Sequence, residues 1–144
     1  MRRNISSDGP FEDVYGYSRA VRVGDQIHVS GTTARPPDLE DADAYRQARA
    51  ALAIIEDALR KAGSSMAAVV RTVTYVTDIA DAELVARAHN EVLGEVRPAA
   101  TLVQVSGLLD PAMKVEIEVY AVEARQEAAE GDEPGDDVGS DRHR

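Results

Sequence analysis

The sequence contains no cysteine, no tryptophan and a single phenylalanine in 144 residues. Without cysteine there are no disulfides, no thiolate metal sites and no cysteine nucleophile. With so few large aromatics, the 44% of hydrophobic residues must build an aliphatic core of Val, Ala, Leu and Ile. No apolar run approaches the roughly 18 residues needed to cross a bilayer. Met1-Arg2-Arg3-Asn4 is not followed by the apolar stretch of a secretory signal. A cytoplasmic protein with no membrane partner is expected. Excess positive charge is also missing: the formal net charge is -10. An acidic surface repels phosphate backbones, so no nucleic-acid partner is expected. Neither a Gly-x-Gly-x-x-Gly turn nor a Gly-x-x-x-x-Gly-Lys-Ser/Thr loop is present, so no nucleotide site is indicated. The three histidines, His28, His89 and His143, form no pair at metal-ligand spacing, and no metal is expected.

The length fits one domain followed by a tail. Residues 1–124 carry the hydrophobic patterning. Residues 125–144 hold seven acids against three arginines and almost no large apolar side chains. Such a segment cannot bury enough surface to offset its ordering entropy and is expected to be disordered. Within the domain, Val21 and Val23, the pair Gly24-Asp25, then Ile27 and Val29 read as a β-hairpin whose two-residue loop uses Gly24 for a positive φ. From about Asp41 to Ala62, Tyr45, Ala48, Leu52, Ile55, Leu59 and Ala62 recur at helical spacing, and Gly63 ends the helix. Val69 to Thr77 reads as a strand, and Asp81 is placed to cap a second helix running to about Leu93 and Gly94. Thr101 to Val105 reads as a short strand after Pro98. Lys114 to Glu123 alternates most clearly, with Val115, Ile117, Val119 and Ala121 on one face and Glu116, Glu118 and Tyr120 on the other. The order β-β-α-β-α-β-β predicts an α/β (α+β) domain, a mixed sheet with both helices on one face. The bare face then requires a partner, which predicts oligomerisation.

Few residues offer chemistry. His28 points away from Ile27 and Val29 and reads as a sheet-face residue, while His89 reads as a surface residue of the second helix. Glu116 and Glu118 share one sheet face. Two readings of that pair stand open: a charged, solvated face, or a carboxylate that positions a water or accepts a proton in a subunit cleft.

The segment Tyr17-Ser-Arg-Ala-Val-Arg-Val-Gly-Asp-Gln-Ile-His-Val-Ser-Gly31 resembles the opening hairpin of the reactive-intermediate deaminase (Rid, YjgF-like) family. Gln47-Ala48-Arg49, Ala62-Gly63-Ser64-Ser65, Val73-Thr-Tyr-Val-Thr-Asp-Ile79, Arg97-Pro98-Ala99 and Val115-Glu-Ile-Glu118 follow in the family's order and near its spacing. The resemblance spans about Gly16 to Val122. It implies a chorismate-mutase-like fold assembled as a homotrimer, with small-molecule sites in the inter-subunit clefts. It also implies cofactor-free hydrolysis of 2-imino or 2-enamino acids to 2-keto acids and ammonia. By position, Tyr17 matches the tyrosine lining the cleft, Ser30 a serine that bonds substrate, Glu116 the acid holding the attacking water, and the Leu102 amide a carboxylate-binding N–H.

The sequence departs from the family at Ala100, where deaminating members carry an arginine that forks onto the substrate carboxylate. Such a contact is worth on the order of 2 to 5 kcal/mol, so its loss costs about 30-fold to several thousand-fold in binding. Arg97, three residues earlier, is a candidate replacement; otherwise it pairs with an acid at the trimer rim, or the pocket takes a different ligand. Three functions compete: an imine or enamine hydrolase with altered preference, a non-catalytic trimeric metabolite-binding protein, and a ribonuclease, which the acidic charge opposes.

Overall fold

The computed structural model describes residues 1–123. The acidic segment expected to be a disordered tail lies outside the described residues. The elements are β1 (Arg2–Ile5), α1 (Glu12–Tyr15), β2 (Ala20–Val23), β3 (Gln26–Thr32), α2 (Ala44–Lys61), β4 (Val69–Val76), α3 (Ala82–Leu93), β5 (Ala99–Gln104) and β6 (Val115–Val122). The strands form one six-stranded sheet in the order β1-β2-β3-β6-β4-β5. All neighbours are antiparallel except β4 and β5, which α3 links as a parallel pair. The mixed α+β sheet expected from the patterning is present.

Alternation explains the layers. On β6, Val115, Ile117, Val119 and Ala121 are buried, while Glu116, Glu118 and Tyr120 face the other way. The buried set meets Ile27 and Val29 of β3 and the apolar stripe of α2, Ala48, Ala51, Leu52, Ile55 and Leu59, with Val85, Ala88 and Leu93 of α3 completing the core. The core is aliphatic, and the lone Phe11 is 39% exposed. Gly24 opens the β2–β3 loop at φ 59 and Gly63 follows α2 at φ 82, the left-handed conformations those two positions require.

Four details differ from the sequence expectation. An edge strand, β1, precedes the hairpin; its run of Arg2, Arg3 and Asn4 is exposed and only Ile5 is buried, so it has no alternation to read. The four-residue α1 is too short for a helical period. The first long helix starts at Ala44 rather than at about Asp41, and Asp43 caps it, accepting from the Arg46 N–H at 2.8 Å. Asp81 does occupy the cap position of α3, but its side chain makes no cap bond; Asp78 instead accepts from the Ala80 N–H in the preceding turn.

Candidate functional site

A cavity of about 240 Å³ opens where the end of β3, the start of β6 and the chain before β2 converge. Tyr17, Arg19, Gly31, Arg35, Met113 and Glu116 are among its walls. The register explains why they meet. The β3–β6 ladder shifts between Val29 and Thr32, and Thr32 pairs with Ile117, which brings Gly31 beside Glu116. That approach is close: a Cβ on Gly31 would stand 2.8 Å from Glu116 Cδ and 2.9 Å from Oε2. Only glycine leaves room for the carboxyl in this position.

Glu116 accepts no hydrogen bond from any described residue, so both oxygens are free to meet a ligand or water. Burial pushes its pKa above the ordinary carboxylate value, the charge of Glu118 adds to that, and the Arg19 guanidinium partly offsets it. Glu118, two residues on, is held differently: Tyr75 donates its hydroxyl to one oxygen, and Tyr120 donates to the other at 2.5 Å. The Tyr75 phenol is pushed up to about 12, first by that bond and then by burial. His28 packs edge-on against Tyr120 at 5.6 Å between ring centroids, on the sheet face that no helix covers.

The chain before β2 is pinned by a buried polar knot. Glu12, 5% exposed, accepts from the Ser7 hydroxyl at 2.5 Å, the Ser7 N–H at 3.2 Å and the Gly9 N–H at 3.0 Å. Burial pushes the Glu12 pKa up, but these bonds and the Arg19 charge outweigh it, and the net shift is downward. Arg19, 4% exposed, donates to the Gly31 carbonyl at 2.8 Å, Thr32 Oγ1 at 3.0 Å and the Tyr17 phenol oxygen at 3.0 Å. Arg35 donates to the Ser7 carbonyl at 3.0 Å and the Ser7 hydroxyl at 2.6 Å. No sequence signal marked Arg19 or Arg35, because charged residues in a hairpin lead and in a Pro-rich loop look like ordinary surface.

The residues singled out from sequence therefore divide. Tyr17 and Glu116 line the cavity together. Ser30 does not line it and donates its hydroxyl to the Ser18 carbonyl at 2.7 Å. Leu102 lies on β5, opposite Thr74, with its side chain packed against the core. Arg97 is exposed, sits at φ 55, and does not line the cavity of its own protomer. His89 is a correction: it is half-buried and bonds Thr72 Oγ1 at 2.9 Å, and burial lowers its pKa. Among the described residues, no cluster of three or more His, Asp or Glu is placed to hold a metal ion. No helix among them is long and apolar enough to cross a membrane.

Comparison with known proteins places these features in context. Residues 10–123 match the family model described as endoribonuclease L-PSP. An uncharacterized protein of Streptomyces coelicolor is 36% identical over 121 residues, covering 83% of this chain and 90% of that one. A crystal structure of a Mycobacterium tuberculosis member of the YjgF/YER057c/UK114 family superposes with a TM-score of 0.79 at 43% identity, over 85% of this chain and 99% of that one. Escherichia coli TdcF, solved with bound serine, superposes with a TM-score of 0.69 at 25% identity, over 85% and 94% of the two chains.

Proposed function

The chain belongs to the endoribonuclease L-PSP family of YjgF-like Rid proteins, and from that premise we propose that it is a cytoplasmic, cofactor-free hydrolase of small imines or enamines. Its working unit is an oligomer, because the sheet face bearing His28, Tyr75 and Tyr120 is covered by no helix of its own protomer; the family resemblance makes that oligomer a homotrimer, with the cavity at a seam between subunits. The observation that carries the reading is Glu116, a half-buried carboxyl with raised proton affinity and no hydrogen-bond partner among the described residues, facing a small cavity beside Tyr17.

The chemistry follows from that placement. A water held by Glu116 attacks the imine carbon; Glu116 takes the water's proton and returns it to the nitrogen, giving a carbinolamine. Glu116 then takes the carbinolamine hydroxyl proton and passes it to the nitrogen, so that the C–N bond breaks as the carbonyl forms. Ammonia leaves, and the carboxylate is regenerated. A carboxyl whose pKa is raised toward neutrality serves both directions better than an ordinary one. The volume lies below the roughly 300–1,000 Å³ of drug-sized pockets, which suits a small metabolite.

The test is ammonia release from 2-iminobutanoate generated in situ. Glu116→Gln is expected to slow it by about 10²- to 10⁴-fold, the usual worth of a positioned acid–base group; an unchanged rate overturns the mechanism. Ala100, where the resemblance implies a carboxylate-binding arginine in deaminating members, favours a second reading, a metabolite-binding protein without turnover. That protein would melt higher in the presence of a 2-keto acid while the wild-type chain released no ammonia.

A further inference from the structure

We propose that Arg19 and Arg35 form an anion subsite in this cavity, where they bind the carboxylate of a small 2-imino or 2-keto acid in place of an arginine at position 100. The inference rests on the cavity of Glu116 being the ligand site and adds how that site selects an acid.

Donor accounting supports it. A guanidinium has five N–H groups and accepts nothing. Arg19 uses Nε on Ser7 Oγ, both hydrogens of Nη1 on Gly31 O and Thr32 Oγ1, and one hydrogen of Nη2 on Tyr17 Oη. One N–H of Nη2 is left. Arg35 uses one hydrogen on each terminal nitrogen, both on Ser7, leaving Nε–H and two more. Tyr17, whose oxygen already accepts from Arg19, keeps its own proton to donate. Uncommitted donors on three side chains thus border one small cavity, and a planar carboxylate supplies matching acceptors.

Charge points the same way. Glu12 is the acid paired with both guanidiniums, at 3.7 Å from Arg19 and 3.9 Å from Arg35. Its oxygens are already taken by Ser6, Ser7 and Gly9. Two guanidiniums share that one paired acid. The wall also carries Glu116, the acid assigned to the water, together with Glu40, which is exposed, and Asp110, which accepts from the Ala112 N–H. The geometry is also fixed in advance, since Arg19 is buried and held by four hydrogen bonds, so a ligand need not order it.

The experiment titrates 2-oxobutanoate and its neutral amide, 2-oxobutanamide, into the full chain, following the NMR signals of the Gly31 and Tyr17 amides. In the wild type the acid is expected to bind at least about tenfold more tightly than the amide. Arg35→Gln, at a side chain one-third exposed, is expected to weaken the acid by about 10- to 100-fold, the worth of one or two charge-assisted hydrogen bonds. It should leave the amide unchanged. Arg19→Lys should act in the same direction, and thermal melting reports whether that buried variant is folded; if it is not, Arg35→Gln decides alone. If the acid moves both signals with the same affinity in the wild type and Arg35→Gln, or if Arg97→Gln abolishes acid binding while Arg35→Gln does not, the subsite is overturned and the cavity stands. If neither compound moves those signals, the cavity itself is the wrong site and both readings fall.

Discussion

Replacing Gly31 by alanine perturbs Glu116 without touching it covalently. The new Cβ would lie 2.8 Å from Glu116 Cδ, 2.9 Å from Oε2 and 3.2 Å from Cγ, whereas ordinary contact begins at 3.4 Å. The carboxyl must therefore withdraw by roughly 0.6 Å, and as the free end of a flexible side chain it yields before the backbone does. Gly31 is not among the glycines with positive φ, so alanine adopts its conformation without strain. Removing a glycine from the unfolded ensemble favours the fold by about 0.4–1 kcal/mol. Stability should change by less than about 1 kcal/mol, whereas a 1 Å misplacement of a reacting group costs about 100-fold, so the rate should fall on the order of 10- to 100-fold. Ammonia release and thermal melting measured on the same preparation separate the two effects. The double variant with Glu116→Gln should be no slower than Glu116→Gln alone, because both remove one function. A Gly31→Ala protein with the wild-type rate would show that the placement of Glu116 is irrelevant to turnover. A stability loss above about 2 kcal/mol would show that the backbone, not the carboxyl, absorbed the clash.

Gln47 is 1% exposed; its amide donates to the carbonyls of Leu39 and Ala112 at 3.0 and 2.9 Å, and its oxygen accepts from the Lys114 N–H at 2.8 Å. Gln47→Leu strands these groups in two loops that flank the cavity, and urea unfolding should show a loss of about 2–4 kcal/mol; stability within 0.5 kcal/mol of wild type, roughly the range of a neutral surface change, would contradict the bonding described. For His89, burial favours the neutral ring, so in the window between its lowered folded value and the ordinary 6.5 the unfolded chain binds more protons. Its contribution is fully present above 6.5 and is lost as pH falls through the folded value. The urea midpoint of wild type should therefore drop more steeply than that of His89→Gln on going from pH 7 to pH 5, and parallel curves would refute the assignment.

How much of this was legible depends on whether the signal is local. The β6 alternation and the α2 stripe each lie within a few turns of chain, and the β2–β3 hairpin announces itself through Gly24; all three stand where the sequence puts them. β1 was not legible because an edge strand pairs through its backbone and needs no apolar pattern, and here only Ile5 is buried. His89 was misread because its helix face is set by where α3 sits over Thr72, a tertiary fact. Arg19 and Glu12 are the clearest case. Their sequence environments suggest surface charge, yet both are buried, because each satisfies the other's neighbourhood through Ser7, Gly31 and Thr32. A buried polar group is tolerated only when its partners are present, and those partners come from segments that meet only after folding.

The same separation explains how one strand builds both the core and the site. Odd-numbered positions of β6 seal against α2, so the strand cannot slip by a single residue without exposing Val115, Ile117, Val119 and Ala121 together. That constraint fixes the even-numbered positions as firmly as the core itself. Glu118 receives one phenol on each oxygen; Glu116, with no such donors among the described residues, is left to burial, which raises its proton affinity, and to Arg19, which lowers it. Two glutamates of identical chemistry, two residues apart, thus receive opposite treatment from their surroundings. Because Arg19 is also the donor that orients Tyr17, the group that tempers Glu116 and the group that presents Tyr17 to a ligand are one side chain, and the acid and the phenol cannot be tuned independently.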